Sequence, residues 1–316
     1  MLEKGKIMRA VQIHQYGGTE TLQLVQIDTP KINADDILIQ VKYAAINPVD
    51  WKIREGYLQE FIPYALPVTL GWDVAGIITE VGADVTDFNV GDEVFSRPDI
   101  SRNGSYADFI AVKADEAVLK SSKLDFAQAA SLPLAGITAW QCLVDVGQLQ
   151  AGQRVLIHAG AGGVGHLAIQ IAKAKGAIVI ATASAANQAL LTELGADQAV
   201  DYTKAPLSEQ IEAVDLVIDT MGGAVQDDSW ALLKKGGMLV SVTQPPNEET
   251  AKEFGVTGAF VFIEPSSRIL GELNTLIEAD KLMPLIEHRF SLEEMVDAHK
   301  QSQSGRTRGK IVIEVS

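Results

Sequence analysis

Residues 152–173, GQRVLIHAGAGGVGHLAIQIAK, constrain the fold more than any other stretch of the chain. The run Val155-Leu156-Ile157 predicts a short buried strand. It leads into Gly160-Ala161-Gly162-Gly163-Val164-Gly165, and an apolar periodic segment from Leu167 to Ala172 then predicts a helix. Strand, glycine turn and helix in that order predict a dinucleotide cradle, the alternative being a glycine-rich turn of another α/β protein. Gly160 permits the tight turn, Gly162 lets backbone approach a pyrophosphate, and Gly165 allows close strand–helix packing. The helix start adds free N–H groups, those of Gly163 and Val164 among them, and a positive dipole end.

The rest of the chain falls into two characters. Residues 9–120 read mostly as β, with strands at 37–42, 74–81 and 93–96 punctuated by Gly71, Gly82 and Gly91, which suggests a partly closed barrel. From about residue 125, Ala-rich helical patterns (127–147, 166–176, 187–194) alternate with β-branched runs (155–157, 178–181, 216–219, 238–242). That alternation predicts βαβ units and a doubly wound parallel sheet. Past Pro265 come a helix over 269–279, a second over 292–302 capped by Ser291 with Glu294 as its partner, and a closing β run at 311–315. The closing run has no βαβ partner left, so the chain is expected to return to its first domain. The expected organisation is a barrel domain of residues 1–125 and 266–316, interrupted by a nucleotide-binding domain of residues 126–265.

A length of 316 residues is ample for two cores. No apolar run approaches the ~20 residues of a membrane span, and residues 1–14 lack the apolar core of a secretory leader. The single cysteine, Cys142, excludes an intrachain disulfide, fits a cytoplasmic setting and reads as core filler. A net charge of −15 argues against a nucleic-acid partner. The densest basic stretch, Arg306-Thr307-Arg308-Gly309-Lys310, reads as a solvated turn or as a holder of a small anionic group.

The second strand of the nucleotide-binding pattern, 178–181, runs into Thr182-Ala183-Ser184-Ala185-Ala186-Asn187. An NAD site places a carboxylate about 20 residues beyond the glycine motif, on the ribose 2′-hydroxyl. No carboxylate stands here, so NADP(H) is the expected cofactor, with Ser184 and Asn187 near its 2′-phosphate. No basic residue occupies 184–188, and Tyr202 and Arg308 are candidates to come in from elsewhere. The strand ends carrying Thr220 and Ser241 should face the dinucleotide, because ligands bind at carboxyl ends in open α/β sheets.

On these residues the chain resembles the zinc-independent quinone oxidoreductases of the medium-chain dehydrogenase/reductase superfamily. Gly152, Gln153, Leu156, Gly160, Ala161, Gly162, Gly163, Gly165, Gln170 and Lys173 fall in register with that family's signature. Residues 47–54 (NPVDWKIR) resemble its active-site loop, 71–76 (GWDVAG) the strand that follows, 132–140 the segment before the cofactor domain, and 305–312 its closing strand. The resemblance implies a GroES-like, partly open β-barrel catalytic domain with an inserted Rossmann domain. It also implies an edge strand at 258–262 that joins two copies in a homodimer, with Phe260 and Phe262 placed at the cofactor side.

The related alcohol dehydrogenases hold zinc through a cysteine that matches Asn47 and a histidine–glutamate pair that matches Trp72 and Asp73. Residues 96–106 contain no cysteine, and the five histidines show no paired spacing, so no metal is expected. Without a Lewis acid, reduction of an electron-poor π system is easier than oxidation of a plain alcohol, because the incoming charge spreads onto a carbonyl oxygen that hydrogen-bond donors can hold. The resemblance makes Asn47, Lys52 and Thr138 the candidate catalytic residues, with Tyr57 and Tyr64 as bland aromatics at the mouth. The expected activity is NADPH-dependent reduction of quinones or of α,β-unsaturated carbonyls, the competing reading being a non-catalytic NADP(H)-binding protein.

Overall fold

The β-branched runs from residue 154 onward build one parallel sheet. In the computed structural model, which describes residues 7–316, six strands hydrogen-bond side by side: Arg154–Ile157, Ile178–Ala183, Gln198–Asp201, Val214–Asp219, Leu233–Ser241 and Thr257–Phe260. Counted in chain order, they lie third, second, first, fourth, fifth, sixth, all parallel. The order reverses between Arg154–Ile157 and Val214–Asp219, which creates a crevice at their carboxyl ends. The near-continuous apolar character of the central strands follows from burial on both faces: Val155, Leu156, Ile157, Val179, Ile180, Val217 and Ile218 are all fully enclosed. This unit spans Ala135–Ile263 and takes in Ala279–Met283. The double hydrogen bond of the Gln170 amide with the backbone of Met283 ties that short segment to it.

The other unit comprises the described residues through Leu134 together with Glu264–Glu278 and Pro284–Ser316. Its frame is the eleven-residue strand Asp36–Ile46, which pairs antiparallel with Val74–Val81, Phe109–Lys113 and Lys310–Glu314. Glu93–Ser96 and Ala117–Leu119 extend the sheet on one side and Ile286–Ser291 on the other, giving seven strands among the described residues. A second antiparallel sheet joins Leu22–Asp28, Ile7–Ile13 and Val68–Thr69. The Val11 amide donates to Tyr106 O, so the two sheets close on each other as a partly open barrel. Trp72, Ile37, Ile39, Val74, Ile78 and Ile313 fill its core.

Several expectations need adjusting. The unit with the parallel sheet starts at 135, not 126, and the single helix expected over 127–147 is three pieces. Phe126–Ala130 stops before Pro133, whose ring forbids continuation and opens the new helix Pro133–Trp140, which widens into a π-type turn over Gln141–Val146. The expected helix over 292–302 begins as a tighter turn, Leu292–Glu294, before Met295–Gln303, with the Ser291 amide donating to Glu294 Oε2 at 2.8 Å. The absence of a leader was read in part from residues 1–6, which lie outside the described residues.

Candidate active site

In the unit with the parallel sheet, the glycine turn is the candidate dinucleotide site. Gly160 has an ordinary φ; the left-handed residue of this turn is Ala159, with φ +48°. Gly160 is small for packing instead, since a Cβ there would lie 2.8 Å from Leu191 and 2.9 Å from Ala181. Gly165 fits its expected role, because a Cβ would sit 2.3 Å from Ala159 O. A Cβ at Gly162 would meet only Ala159 O, at 3.2 Å, and face open space otherwise. The amides of Ala161, Gly163 and Val164 have no acceptor among the described residues. Unpaired N–H groups at a helix start, beside a glycine open to approach, fit a pyrophosphate. His166 Nδ1 bonds Gly162 O at 2.9 Å, and Lys173 pairs with Asp197 at 2.8 Å, so the helix Gly165–Ala174 is pinned at both ends.

Beside the turn, His158 lies buried between Ser229 Oγ at 2.9 Å and Thr182 Oγ1 at 3.4 Å, and burial pushes its imidazole down to about 4. Thr220 Oγ1 donates to His158 O at 3.2 Å, linking the ends of the two strands at the switch point. Asp219 Oδ1 accepts the amides of Met221 and Gly222, and its Oδ2 accepts Gln226 Nε2 and Ser241 Oγ, all within 2.9 Å. Ser241 is therefore not a ligand-facing hydroxyl. Its side chain is fully buried and serves Asp219, because a buried hydroxyl must find a partner in the protein.

The strands Ile178–Ala183 and Gln198–Asp201 are in parallel register, with Ala183 opposite Asp201. The next residues on each, Ser184 and Tyr202, therefore leave the sheet at the same end. Ser184 is half-buried and Tyr202 is exposed, while the Ser184 carbonyl accepts the Asn187 amide. Asp201 spends its carboxylate on Thr203 N and Oγ1, at 3.0 and 2.7 Å. Arg308 stands in the other unit, where its guanidinium is paired with Glu287 at 2.7 Å, so its charge is already matched. Phe260 and Phe262 are exposed, at and just beyond the end of the edge strand. Thr138 is nearly fully buried on the helix Pro133–Trp140. Cys142 is enclosed, and burial pushes its thiol up to about 12, so it is not a nucleophile.

The barrel unit, taken by itself, holds a group of buried charged and polar side chains. Asn47, 2% exposed, precedes the short helix Pro48–Arg54. Its Nδ2 donates to Asp73 Oδ2 at 2.8 Å, and its Oδ1 accepts the Lys310 ammonium at 2.5 Å. Lys310 also reaches Asp73 Oδ2 at 3.1 Å, and the other oxygen of Asp73 takes the Leu134 amide at 2.6 Å. Next to this, Asp50 Oδ2 accepts the Asn47 amide and the Tyr106 hydroxyl, both at 2.7 Å, while its Oδ1 is buried with no partner among the described residues. Burial, with a smaller contribution from Asp73, raises the Asp50 carboxyl to about 7. Burial also raises Asp73, against the pull of Lys310 and the donors around it. The Tyr106 ring meets His299 edge-on at 5.8 Å, and burial pushes that imidazole down to about 3. Lys52, half-buried, lies 5.8 Å over the Trp51 ring and has no carboxylate partner among the described residues. Tyr57 is exposed, and Tyr64 stacks on Trp72 with its hydroxyl on Ile100 O.

The expected loop 47–54 is the short helix Pro48–Arg54, with Asn47 at its N-cap and Lys52 within it, and the groups gathered around Asn47 were not anticipated. Lys310 is not part of a solvated turn. It opens the strand Lys310–Glu314 and is 3% exposed. Asp50 and Tyr106 carried no spacing signal, because their meeting depends on folding residues 50 and 106 together. No group of three or more His, Cys, Asp or Glu is placed to hold a metal ion among the described residues. Where Asn47 and Asp73 converge, they receive an ammonium.

Comparisons with known proteins bear on the family and the fold. The family model described as "Alcohol dehydrogenase GroES-like domain" matches residues 33–122, and "Zinc-binding dehydrogenase" matches residues 194–313. The residues here do not fit the zinc in that second description. A curated relative, the NADPH-dependent alkenal/one oxidoreductase, chloroplastic, of Arabidopsis thaliana, is 37% identical, covering 98% of this chain and 80% of its own. The solved quinone oxidoreductase of Coxiella burnetii superposes with a TM-score of 0.93 at 40% identity, covering 98% of this chain and 100% of that one. A mycobacterial protein solved in complex with NADPH superposes with a TM-score of 0.88 at 27% identity, over 97% and 99% of the two chains.

Proposed function

The chain belongs to the quinone oxidoreductase family of the medium-chain dehydrogenase/reductase superfamily, and from that premise we propose that it is an NADPH-dependent reductase of quinones or α,β-unsaturated carbonyls. The observation that carries this reading is the glycine turn at the switch point of the parallel sheet, with amides free for a pyrophosphate and no carboxylate at the end of Ile178–Ala183. NADPH, when bound, supplies a hydride from its nicotinamide. The amides of Ala161, Gly163 and Val164 hold the pyrophosphate. Ser184, Asn187 and Tyr202 accommodate the 2′-phosphate, which an acid at 184 would repel. Asn47 donates a hydrogen bond to the acceptor's carbonyl oxygen, where charge gathers, and the Lys52 ammonium, on the helix that Asn47 caps, favours that charge. Thr138 packs as a positioning residue for the nicotinamide.

The reduction proceeds without a metal on this reading, since no ligand set among the described residues fits one and a π acceptor delocalises the charge it receives. The names of relatives support both acceptor classes, alkenal/one and quinone. We also infer a cytoplasmic homodimer formed through the exposed edge strand Thr257–Phe260. The test is a panel of quinones, enals and enones with NADPH, following the absorbance of the reduced nicotinamide, before and after dialysis against a chelator. Turnover that survives the chelator is expected. NADPH binding with no oxidation by any acceptor would favour a non-catalytic nucleotide-binding protein, and activity lost with the metal would refute the metal-free reading.

A further inference from the structure

Lys310, Asp73, Asp50 and Asn47 are all nearly or fully enclosed, and a buried ion pair is a poor source of stability, because desolvation offsets most of its attraction. The arrangement nonetheless has a consequence for one side chain. The Asn47 carboxamide is held at both ends by full charges: its oxygen by the Lys310 ammonium at 2.5 Å, its nitrogen by the Asp73 carboxylate at 2.8 Å. A flipped amide would set NH₂ against an ammonium and C=O against a carboxylate, so the orientation is unambiguous. Both oxygens of Asp73 have partners, which makes it the ionised mate of Lys310. Asp50, with one oxygen bare, is the member that carries a proton most readily. A cation on the amide oxygen draws electron density from the nitrogen and makes its hydrogens stronger donors. One Nδ2 hydrogen goes to Asp73; the second has no partner among the described residues.

We propose that Lys310 is a positioning residue for the reduction: it locks and polarises the Asn47 carboxamide so that Asn47 meets the acceptor's carbonyl oxygen as a hydrogen-bond donor. The inference rests on the reductase reading above. It assigns to a lysine, acting through an amide, the withdrawal of charge from the acceptor oxygen. An apolar residue at 310 would remove the cation that Asp73 and the Asn47 oxygen share, and the amide would then be free to turn.

The test removes both charges together, since Lys310→Met alone strands a buried carboxylate and threatens folding. Lys310→Met/Asp73→Asn keeps the volume and neutralises the pair. The expected result is unchanged NADPH affinity by fluorescence titration and a kcat, per NADPH-binding site, lower by on the order of ten- to a hundredfold. Asn47→Ala should show a similar loss, and the triple variant should lose little more, because the three residues act as one unit. Losses that multiply, a wild-type kcat in the charge-free variant, or an effect confined to NADPH affinity would each overturn the proposal. A second readout needs no turnover: by NMR, the Asn47 side-chain N–H hydrogens should exchange slowly with solvent in the wild type and quickly in Lys310→Met/Asp73→Asn. Fast exchange in the wild type would overturn the lock. A wild type that reduces no acceptor would refute the reductase reading instead, and the exchange rates would still decide whether the amide is held.

Discussion

Asp50 is a carboxyl group whose environment prefers its proton. Burial raises it to about 7, against an ordinary value near 4. Between those values the folded protein binds a proton that the unfolded chain has released, so this residue's contribution falls as pH rises. His158 and His299 work in the opposite sense. Burial lowers them to about 4 and about 3, so the unfolded chain takes up protons first and stability is lost as pH falls below about 6.5. Asp50→Asn, which mimics the neutral acid, should therefore gain stability relative to wild type as pH rises from 5 to 8. The check is Tm measured across that range; curves that run parallel would mean Asp50 is ionised throughout. Asn47 and Lys52 were legible because they sit in a contiguous motif. Lys310 was not: its four neighbours at 306–309 are polar or glycine, and nothing local distinguishes a solvated lysine from one folded against a residue 263 positions away.

At the scale of elements, the four central parallel strands read clearly because each holds a short enclosed apolar run between glycines and helical patterns. The expected strands at 37–42, 74–81 and 93–96 stand within Asp36–Ile46, Val74–Val81 and Glu93–Ser96. Ile286–Ser291 escaped notice because Glu287, His288 and Arg289 break its apolar pattern. It lies at the edge of its sheet, where half-exposed positions tolerate charge. Gln198–Asp201 escaped for the same reason at the edge of the parallel sheet. Its register matters for the cofactor, because it places Tyr202 beside Ser184. Ser184→Asp brings a negative charge to that shared end, and the KM for NADPH should rise about tenfold, equivalent to about 1.4 kcal/mol, while that for NADH falls. Steady-state kinetics with both cofactors measures the shift, and an unchanged ratio would move the 2′-phosphate site elsewhere.

For the molecule as a whole, the edge strand Thr257–Phe260 presents an unpaired ladder with Phe260 and Phe262 exposed beside it. If it joins two copies, sedimentation should give twice the 33.9 kDa of one chain, and Thr257→Lys/Ala259→Lys should return the single chain with its dinucleotide binding intact. A wild type that sediments as one chain at micromolar concentration would remove the dimer from the account. The pairing of Lys310–Glu314 with Asp36–Ile46 imposes an order on how the protein is made. A ribosome delivers every strand of the parallel sheet before it delivers the residues that seal the barrel. Until they arrive, Asp73 and the Asn47 carboxamide lack the ammonium that they share. Chains halted short of residue 310 would lack the cation that orients the Asn47 carboxamide.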